Sequence, residues 1–356
     1  MTENLLFVYI SFFVASLVFS LIINRFLLKF VKTLGIRNTS ETIIRWSATS
    51  KPALGGISFY FIFLFSIILI SFLLPGYEGF FNLQTLGILV VVTIGFLLGL
   101  FDDAYNTHPW IKFFTQLLCG LILIGTGTYI HIFDGQLLNY ILTVLWVVGM
   151  MNSINMLDNM DGITTIVSLS VLFAIFAGMM LSADFGNPLF VIVLGSMASL
   201  VGFLFYNWHP SRMYMGDTGS QFLGVFLAIL GINCLWNGGT ISHEAPPLMR
   251  FFAVATLFAL PIIDTTTVFI KRLAKGQSPF IGGKDHTTHH LSYLGLNDRQ
   301  VALVFIFLSL IGVALTLVLA HYIPQWETVH NIGYTIYFLV LFIFLFVVAN
   351  LNIDKN

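Results

Sequence analysis

Charge is what this chain has least of. Of its 356 residues only 9% are Asp, Glu, Lys or Arg, 15 cationic against 16 anionic. Soluble globular domains carry about 25% charged residues, so an ordinary soluble fold is excluded. A net charge of −1 offers no basic surface for nucleic acid, and no such partner is expected. Cysteine is nearly absent too, with 2 in the chain. Cys119 is expected in the inner half of the fourth apolar segment and Cys234 near the outer end of the eighth. They are too far apart to pair, so no disulfide is expected. No Pro/Gly/Ser linker, charge block, low-complexity tail or evident internal repeat marks a second unit. Residues 1–356 read as a single integral membrane domain.

What remains is apolar. The chain is 58% hydrophobic with 37 phenylalanines, and its mean hydropathy is +0.93. Uncharged runs long enough to cross a bilayer core of about 30 Å recur at 5–28, 55–74, 83–101, 113–130, 137–153, 163–182, 188–206, 219–236, 249–270, 300–321 and 331–350. The expected fold class is therefore all-α, a polytopic membrane protein with about eleven transmembrane helices. Lys and Arg orient it: Arg250 falls on the side of the N-terminus, and the other cations fall on the side of the C-terminus. The N-terminus is expected outside and the C-terminus in the cytoplasm. The first run reads as a retained helix, because a cleaved signal peptide would have a shorter apolar core and a basic residue before it.

The scarce polar residues are not scattered. They gather at the cytoplasmic junctions, in "RNTSETIIRWSATSKPALGG", "FDDAYNTHPWIK", "NSINMLDNMDG", "YNWHPSRMYMGDTGS" and "KRLAKGQSPFIGGKDHTTHH". Active-site loops are expected at about 32–54, 102–112, 154–162, 207–218 and 271–298, while the outer loops are short and ordinary. Five polar loops on one face of a membrane domain read as one site.

Asn152, Asn155 and Asn159 lie at helical spacing, so one face of a helix end is expected to carry three amides. Paired amide hydrogen bonds suit a neutral ring or ribose, although capping and interhelical bonding would use the same residues. Asp102 and Asp103 are adjacent carboxylates, stable together only with a cation or a shared proton. Asp217 stands between glycines that let backbone approach a ligand, where a carboxylate can take a hard divalent ion. Lys284, His286, His289 and His290 follow a basic stretch beside Gly-Gly, a composition suited to phosphate, or simply to a solvated loop. Asp264, inside the ninth run, is either a buried hydrogen-bonded carboxylate or a support for a neighbouring site residue. Together the clusters offer carboxylates for a divalent ion, amides for a nucleoside and cations for phosphates at one membrane surface. Joining a water-soluble phosphate donor to a lipid phosphate needs that set.

The motifs resemble those of the polyprenyl-phosphate N-acetylhexosamine-1-phosphate transferases. "KPALGG" is similar to that family's first cytoplasmic motif and "FDDAYN" to its aspartate pair. "NSINMLDNMDG" resembles NxxNxxDGxDG, with Asn159 where glycine is common. "NWHPSRMYMGDTGS" resembles NxxPAxxFMGDTGS, and "GQSPF…HTTHH" its last loop. The resemblance covers about Lys51 to Leu296. It implies transfer of a sugar 1-phosphate, an N-acetylhexosamine 1-phosphate such as GlcNAc 1-phosphate, from a UDP-sugar to polyprenyl (undecaprenyl) phosphate with release of UMP. That is a first membrane step of cell-envelope polysaccharide synthesis in a bacterial inner membrane. It implies Mg2+, with Mn2+ as an alternative, held by Asp217. Asp102 or Asp103 would deprotonate or orient the acceptor phosphate. Asn152, Asn155, Asp158, Asp161 and Asn207 would line the nucleotide and sugar-phosphate pocket, with Tyr214 flanking uracil, Lys51 on a phosphate and His286, His289 and His290 in the last loop. The implied partners are the UDP-sugar, the polyprenyl phosphate lipid and the bilayer, and a homodimer is left open.

Two departures stand out. Lysine often follows the aspartate pair by three residues, and here that position is Asn106. The first histidine of the last loop, His286, is displaced by one residue. An ion-coupled transporter would instead place polar groups at mid-depth and toward both faces, and an intramembrane aspartyl protease would place two aspartates inside apolar helices.

Overall fold

The computed structural model describes residues 3–30, 51–73, 82–241, 244–278, 283–323 and 325–351. Most of the expected loop 32–54, the outer "PGYEGF", and part of "GQSPF" lie outside the described residues. The chain is all-α: among the described residues there is no strand, only a parallel bridge between Ala53 and Tyr214.

The helices are α1 (Glu3–Phe30), α2 (Gly55–Leu73), α3 (Leu83–Tyr105), α4 (Pro109–Gly125), α5 (Gln136–Leu157), α6 (Ile163–Leu181) and α7 (Pro188–Asn207). They continue with α8 (Gly216–Leu230), extended by a π-helical turn at Gly231–Trp236, then α9 (Pro247–Leu257), α10 (Ala259–Ala274), α11 (Thr287–Tyr293), α12 (Asp298–Tyr322) and α13 (Thr328–Asn350). Eight described helices are long and apolar enough to cross a membrane, or nine if α9 and α10 form one span; α2 and α4 are shorter apolar helices. Each apolar run of the sequence has its helix. One run differs from expectation: 249–270 is not a straight span but two helices bent by 74°. Pro261 sits in the first turn of α10, where its ring excludes continuous helix from residue 257 and its missing N–H removes a rung.

Burial separates centre from rim. In α8 94% of the apolar window is buried, against 22% in α1 and 28% in α13. Large apolar side chains such as Phe7, Leu137, Phe205 and Phe307 stand outward and exposed. So much uncovered apolar surface is untenable in water and ordinary against lipid.

Helices meet where small or polar residues allow it. Ser20 of α1 donates to the Ser199 carbonyl of α7 at 2.8 Å, and Asn24 reaches Ser58 of α2 at 3.2 Å. In α3, a methyl group on Gly99 would run into the Asp217 backbone, so glycine brings α3 directly against the start of α8. That contact puts Asp102 and Asp103, one turn further along α3, beside Asp217.

Candidate active site

The first turn of α8 is the focus. Gly216 has φ +73°, a conformation that disfavours other residues, and a side chain there would strike the Asp103 carboxylate. This turn leaves backbone N–H groups without helical acceptors. Asp103 supplies the acceptor from α3, taking the Asp217 N–H at 3.0 Å, the Thr218 N–H at 2.8 Å and the Thr218 hydroxyl at 2.6 Å. It is a helix cap contributed from 114 residues away.

Its neighbour Asp102 is engaged differently. One oxygen accepts the Thr107 N–H at 2.8 Å and hydroxyl at 2.6 Å, and the other is ion-paired with Lys112 of α4. The same ammonium lies 2.9 Å from Asp217 Oδ2. Asn155 of α5 donates to Asp217 Oδ1 at 2.9 Å and to Ser220 Oγ at 2.8 Å. Two carboxylates, Asp102 and Asp217, thus share one ammonium. Asp102 is 7% exposed and Asp217 31%, so Asp217 is the oxygen donor open to a hard ion.

Lys112 is the residue the motifs did not single out. Asn106, where the lysine was missing, has φ +54° as the α3 C-cap, which asparagine tolerates. The cation is provided six residues later, from the first turn of α4. Its signal in the sequence is slight: a lone lysine four residues before Gln116 in an apolar helix. Gln116 joins α4 to α5 and α8, accepting from Asn152 at 2.7 Å and donating to Gln221 at 3.1 Å.

A second cluster surrounds Asp161. Its carboxylate accepts the Ser211 hydroxyl at 2.6 Å and N–H at 3.0 Å, with His209 Nδ1 at 3.0 Å and the Lys51 ammonium at 3.6 Å. Burial works against its charge, but the Ser211 hydroxyl and N–H, Lys51 and His209 outweigh it and hold the carboxyl below its ordinary range. Lys51 also lies over the Tyr214 ring, 5.1 Å from its centre. Asp161, His209 and Asp298 present ligand atoms within 4.8 Å of one another, a geometry that could hold a metal. Asp161 is only 7% exposed and its oxygens are taken by Ser211 and His209, whereas Asp217 is 31% exposed, so Asp217 is the better candidate.

Asp158, the α5 C-cap, lies between the two clusters. Among the described residues its side chain has neither a hydrogen bond nor an ion pair. Burial, then the charges of Asp217, Asp103 and Asp161, push its carboxyl up to about 8.

The last loop is anchored from inside the bundle. Buried Asp264 of α10 accepts from Thr287 N–H at 2.8 Å and its hydroxyl at 2.6 Å, and lies 2.8 Å from His286 Nδ1. The displaced histidine is thereby fixed, and Asp264 is a buried carboxylate hydrogen-bonded to it and to Thr287. Arg272 and Asp285 form a two-point pair at 2.8 and 2.7 Å. Thr288 donates to the Asn159 side chain at 2.6 Å, tying this loop to the end of α5.

Several expected groupings are redistributed. Asn159 lies beyond the end of α5 and faces Thr288, so the three asparagines do not share one face. Buried Asn207 uses both ends of its amide, accepting from Thr165 at 2.8 Å and donating to the Met213 carbonyl at 3.0 Å. It ties the 207–215 loop to α6. His289 and His290 diverge: His289 Nε2 is 3.5 Å from the Asn159 carbonyl, whereas His290 meets Lys271 at 2.9 Å. Burial, then the His286 charge, lowers His289 to about 3 and keeps it neutral. Cys119 and Cys234 are both buried free thiols.

Comparison with known proteins follows this geometry. Residues 85–235, which hold both carboxylate clusters' main elements, match the model of glycosyl transferase family 4. A phospho-N-acetylmuramoyl-pentapeptide-transferase of Heliobacterium modesticaldum is 30% identical over 66% of this chain and 75% of its own length. The chain belongs to glycosyl transferase family 4. This family member is also 32% identical to the Bacillus subtilis protein named "Probable undecaprenyl-phosphate N-acetylglucosaminyl 1-phosphate transferase", over 64% of this chain and 62% of that protein. A decaprenyl-phosphate N-acetylglucosaminephosphotransferase of Mycobacterium leprae is 28% identical over 72% of this chain and 70% of its own. The alignment thus spans less than two thirds of the Bacillus relative's length.

Proposed function

We propose that this chain transfers an N-acetylhexosamine 1-phosphate, most simply GlcNAc 1-phosphate, from its UDP-sugar to polyprenyl phosphate. The reaction would occur at the cytoplasmic face of a bacterial inner membrane crossed eleven times. The observation that carries the proposal is the convergence of Asp102, Lys112, Asn155 and Asp217 where α3 and α5 end and α4 and α8 begin. A phosphate must meet a phosphate there, and a site for two anions needs cations and fixed donors. The names of the relatives support a polyprenyl phosphate as acceptor.

An oxygen of the lipid phosphate attacks the β-phosphorus of the UDP-sugar. The bond from that phosphorus to the bridging oxygen breaks, and UMP leaves. Asp217 would hold Mg2+: it is a hard oxygen donor and it is 31% exposed. When bound, the ion supplies Lewis-acid charge to the pyrophosphate. The protein's own groups position the rest. Asn155 fixes the Asp217 carboxylate through Oδ1, Asp103 fixes the turn that carries it, and Asp102 and Lys112 orient the acceptor phosphate. Phosphate monoesters are largely dianionic at pH 7, with a second pKa of about 6, so orientation matters more than deprotonation. Lys51, Tyr214 and Asp161 form the nucleotide end of the pocket, Asn152 braces Asn155's helix, and His286 meets the donor's phosphates. Asp158 lines the nucleotide and sugar-phosphate pocket between the clusters.

The test is transfer of tritium from UDP-[3H]GlcNAc into an organic-soluble lipid by purified protein with undecaprenyl phosphate. Incorporation that needs both substrates and releases UMP supports the proposal. No labelled lipid from any UDP-N-acetylhexosamine would overturn it.

A further inference from the structure

We infer that Lys112 is the site's resident counter-ion: its ammonium holds Asp217 to Asp102 and must leave Asp217 when a divalent cation binds. This rests on the reading that Asp217 holds the ion. The geometry makes the two occupants exclusive. Oδ1 of Asp217 already accepts from Asn155 at 2.9 Å, and Oδ2 accepts from Lys112 at 2.9 Å. Oδ2 is therefore the oxygen that both lysine and metal require. An ammonium and a divalent ion on one oxygen would repel each other strongly in a half-buried site.

The lysine is also placed to move. It is 24% exposed and sits in the first turn of α4, just after the non-helical 106–108 segment. Its second partner, Asp102, is fixed separately by two bonds from Thr107, so Lys112 can release Asp217 and keep Asp102. The arrangement has a use. Without any cation, Asp102, Asp103 and Asp217 would repel one another and open the gap between α3 and α8. The lysine keeps them assembled, and thereby competes with the ion it prepares for.

The experiment is Mn2+ binding to the full-length protein in detergent, without substrates, read as loss of the free-ion EPR signal. Wild type, Lys112→Met, Lys112→Gln and Asp217→Asn are compared, with melting curves for each with and without Mn2+. Lys112→Met and Lys112→Gln should bind Mn2+ about tenfold more tightly than wild type, the scale of one competing ion pair. Their melting temperature should fall without metal and rise further than wild type's when Mn2+ is added. Lys112→Gln keeps the length and polarity, so the comparison survives if the methionine variant folds poorly. Binding by both variants that equals or falls below wild type would overturn the inference while leaving the metal reading intact, provided Asp217→Asn loses Mn2+. Wild-type Mn2+ affinity in Asp217→Asn would instead remove the metal reading, and the inference with it.

Discussion

Two adjacent carboxylates with the same chemistry should fail in different ways. Asp103→Asn keeps the side-chain shape but removes the charge that accepts three bonds from the start of α8. One amide oxygen can still accept, yet the NH2 group then faces backbone N–H donors. Hydrogen bonds to charged groups contribute about 1.5–3 kcal/mol each, and a carboxylate at a helix start adds roughly 0.3–1 kcal/mol. With one bond kept and two lost, we expect a loss of about 3–7 kcal/mol. At about 2 °C per kcal/mol for a chain of this size, melting should fall by roughly 6–14 °C. Asp102→Asn loses its pair with Lys112 but no helix cap, so melting should fall by less while transfer is abolished. The assay is thermal unfolding of both variants in the same detergent, beside their kcat/KM. If Asp103→Asn melts with wild type while Asp102→Asn is the unstable one, the division of labour between cap and ion partner is wrong.

Asp158→Asn should stabilise the metal-free protein at pH 8 relative to wild type. A carboxyl raised to about 8 binds its proton more tightly folded than unfolded, so wild-type stability falls as pH rises from about 4 to 8, and melting curves across that window should flatten in the variant. Asn155→Ala should reduce kcat/KM for the UDP-sugar by about 10–100-fold, from a lost bond of roughly 1–3 kcal/mol to Asp217, with the lipid's apparent affinity nearly unchanged. Cysteines introduced at exposed Asn106 and Lys284 should react with impermeant maleimide only in inside-out vesicles; labelling of either in intact cells would contradict the single cytoplasmic face.

The membrane architecture was legible because span length and uncharged composition leave few alternatives, and each run from 5–28 to 331–350 has its helix. The site was legible as a set of loops, since desolvation confines so many polar residues to helix ends. Pairing was not. Asp103 and Thr218 are 115 residues apart, and Lys112 and Asp217 105. No local pattern says which donor meets which acceptor across that separation. Helical spacing placed Asn159 with Asn152 and Asn155 by extending α5 past its end at Leu157. Asn207 looked like a pocket amide because sequence does not reveal that Thr165 and the Met213 carbonyl already occupy both ends. The bend between α9 and α10 had a visible cause in Pro261, but hydropathy alone averages across it.

The distribution of bonds among the acids explains why so many are needed. Asp103 and Asp264 are each held by backbone N–H and threonine hydroxyls, and each fixes a segment: the α8 turn and the histidine loop. Asp161 performs the same service for Ser211 and Lys51. Asp102 and Asp217 share the mobile cation Lys112, while Asp158 has no partner among the described residues. On the proposed reaction the site would admit two phosphates, and a lining of cations alone would bind the products as tightly as the substrates. Carboxylates that accept from backbone N–H groups hold those segments in place. On the proposed reaction, those that share an ammonium or carry a proton would change their net charge as anions arrive and UMP departs. By that reasoning the three anchoring acids set the geometry, and Asp102, Asp158 and Asp217 with Lys112 set the charge the substrates meet.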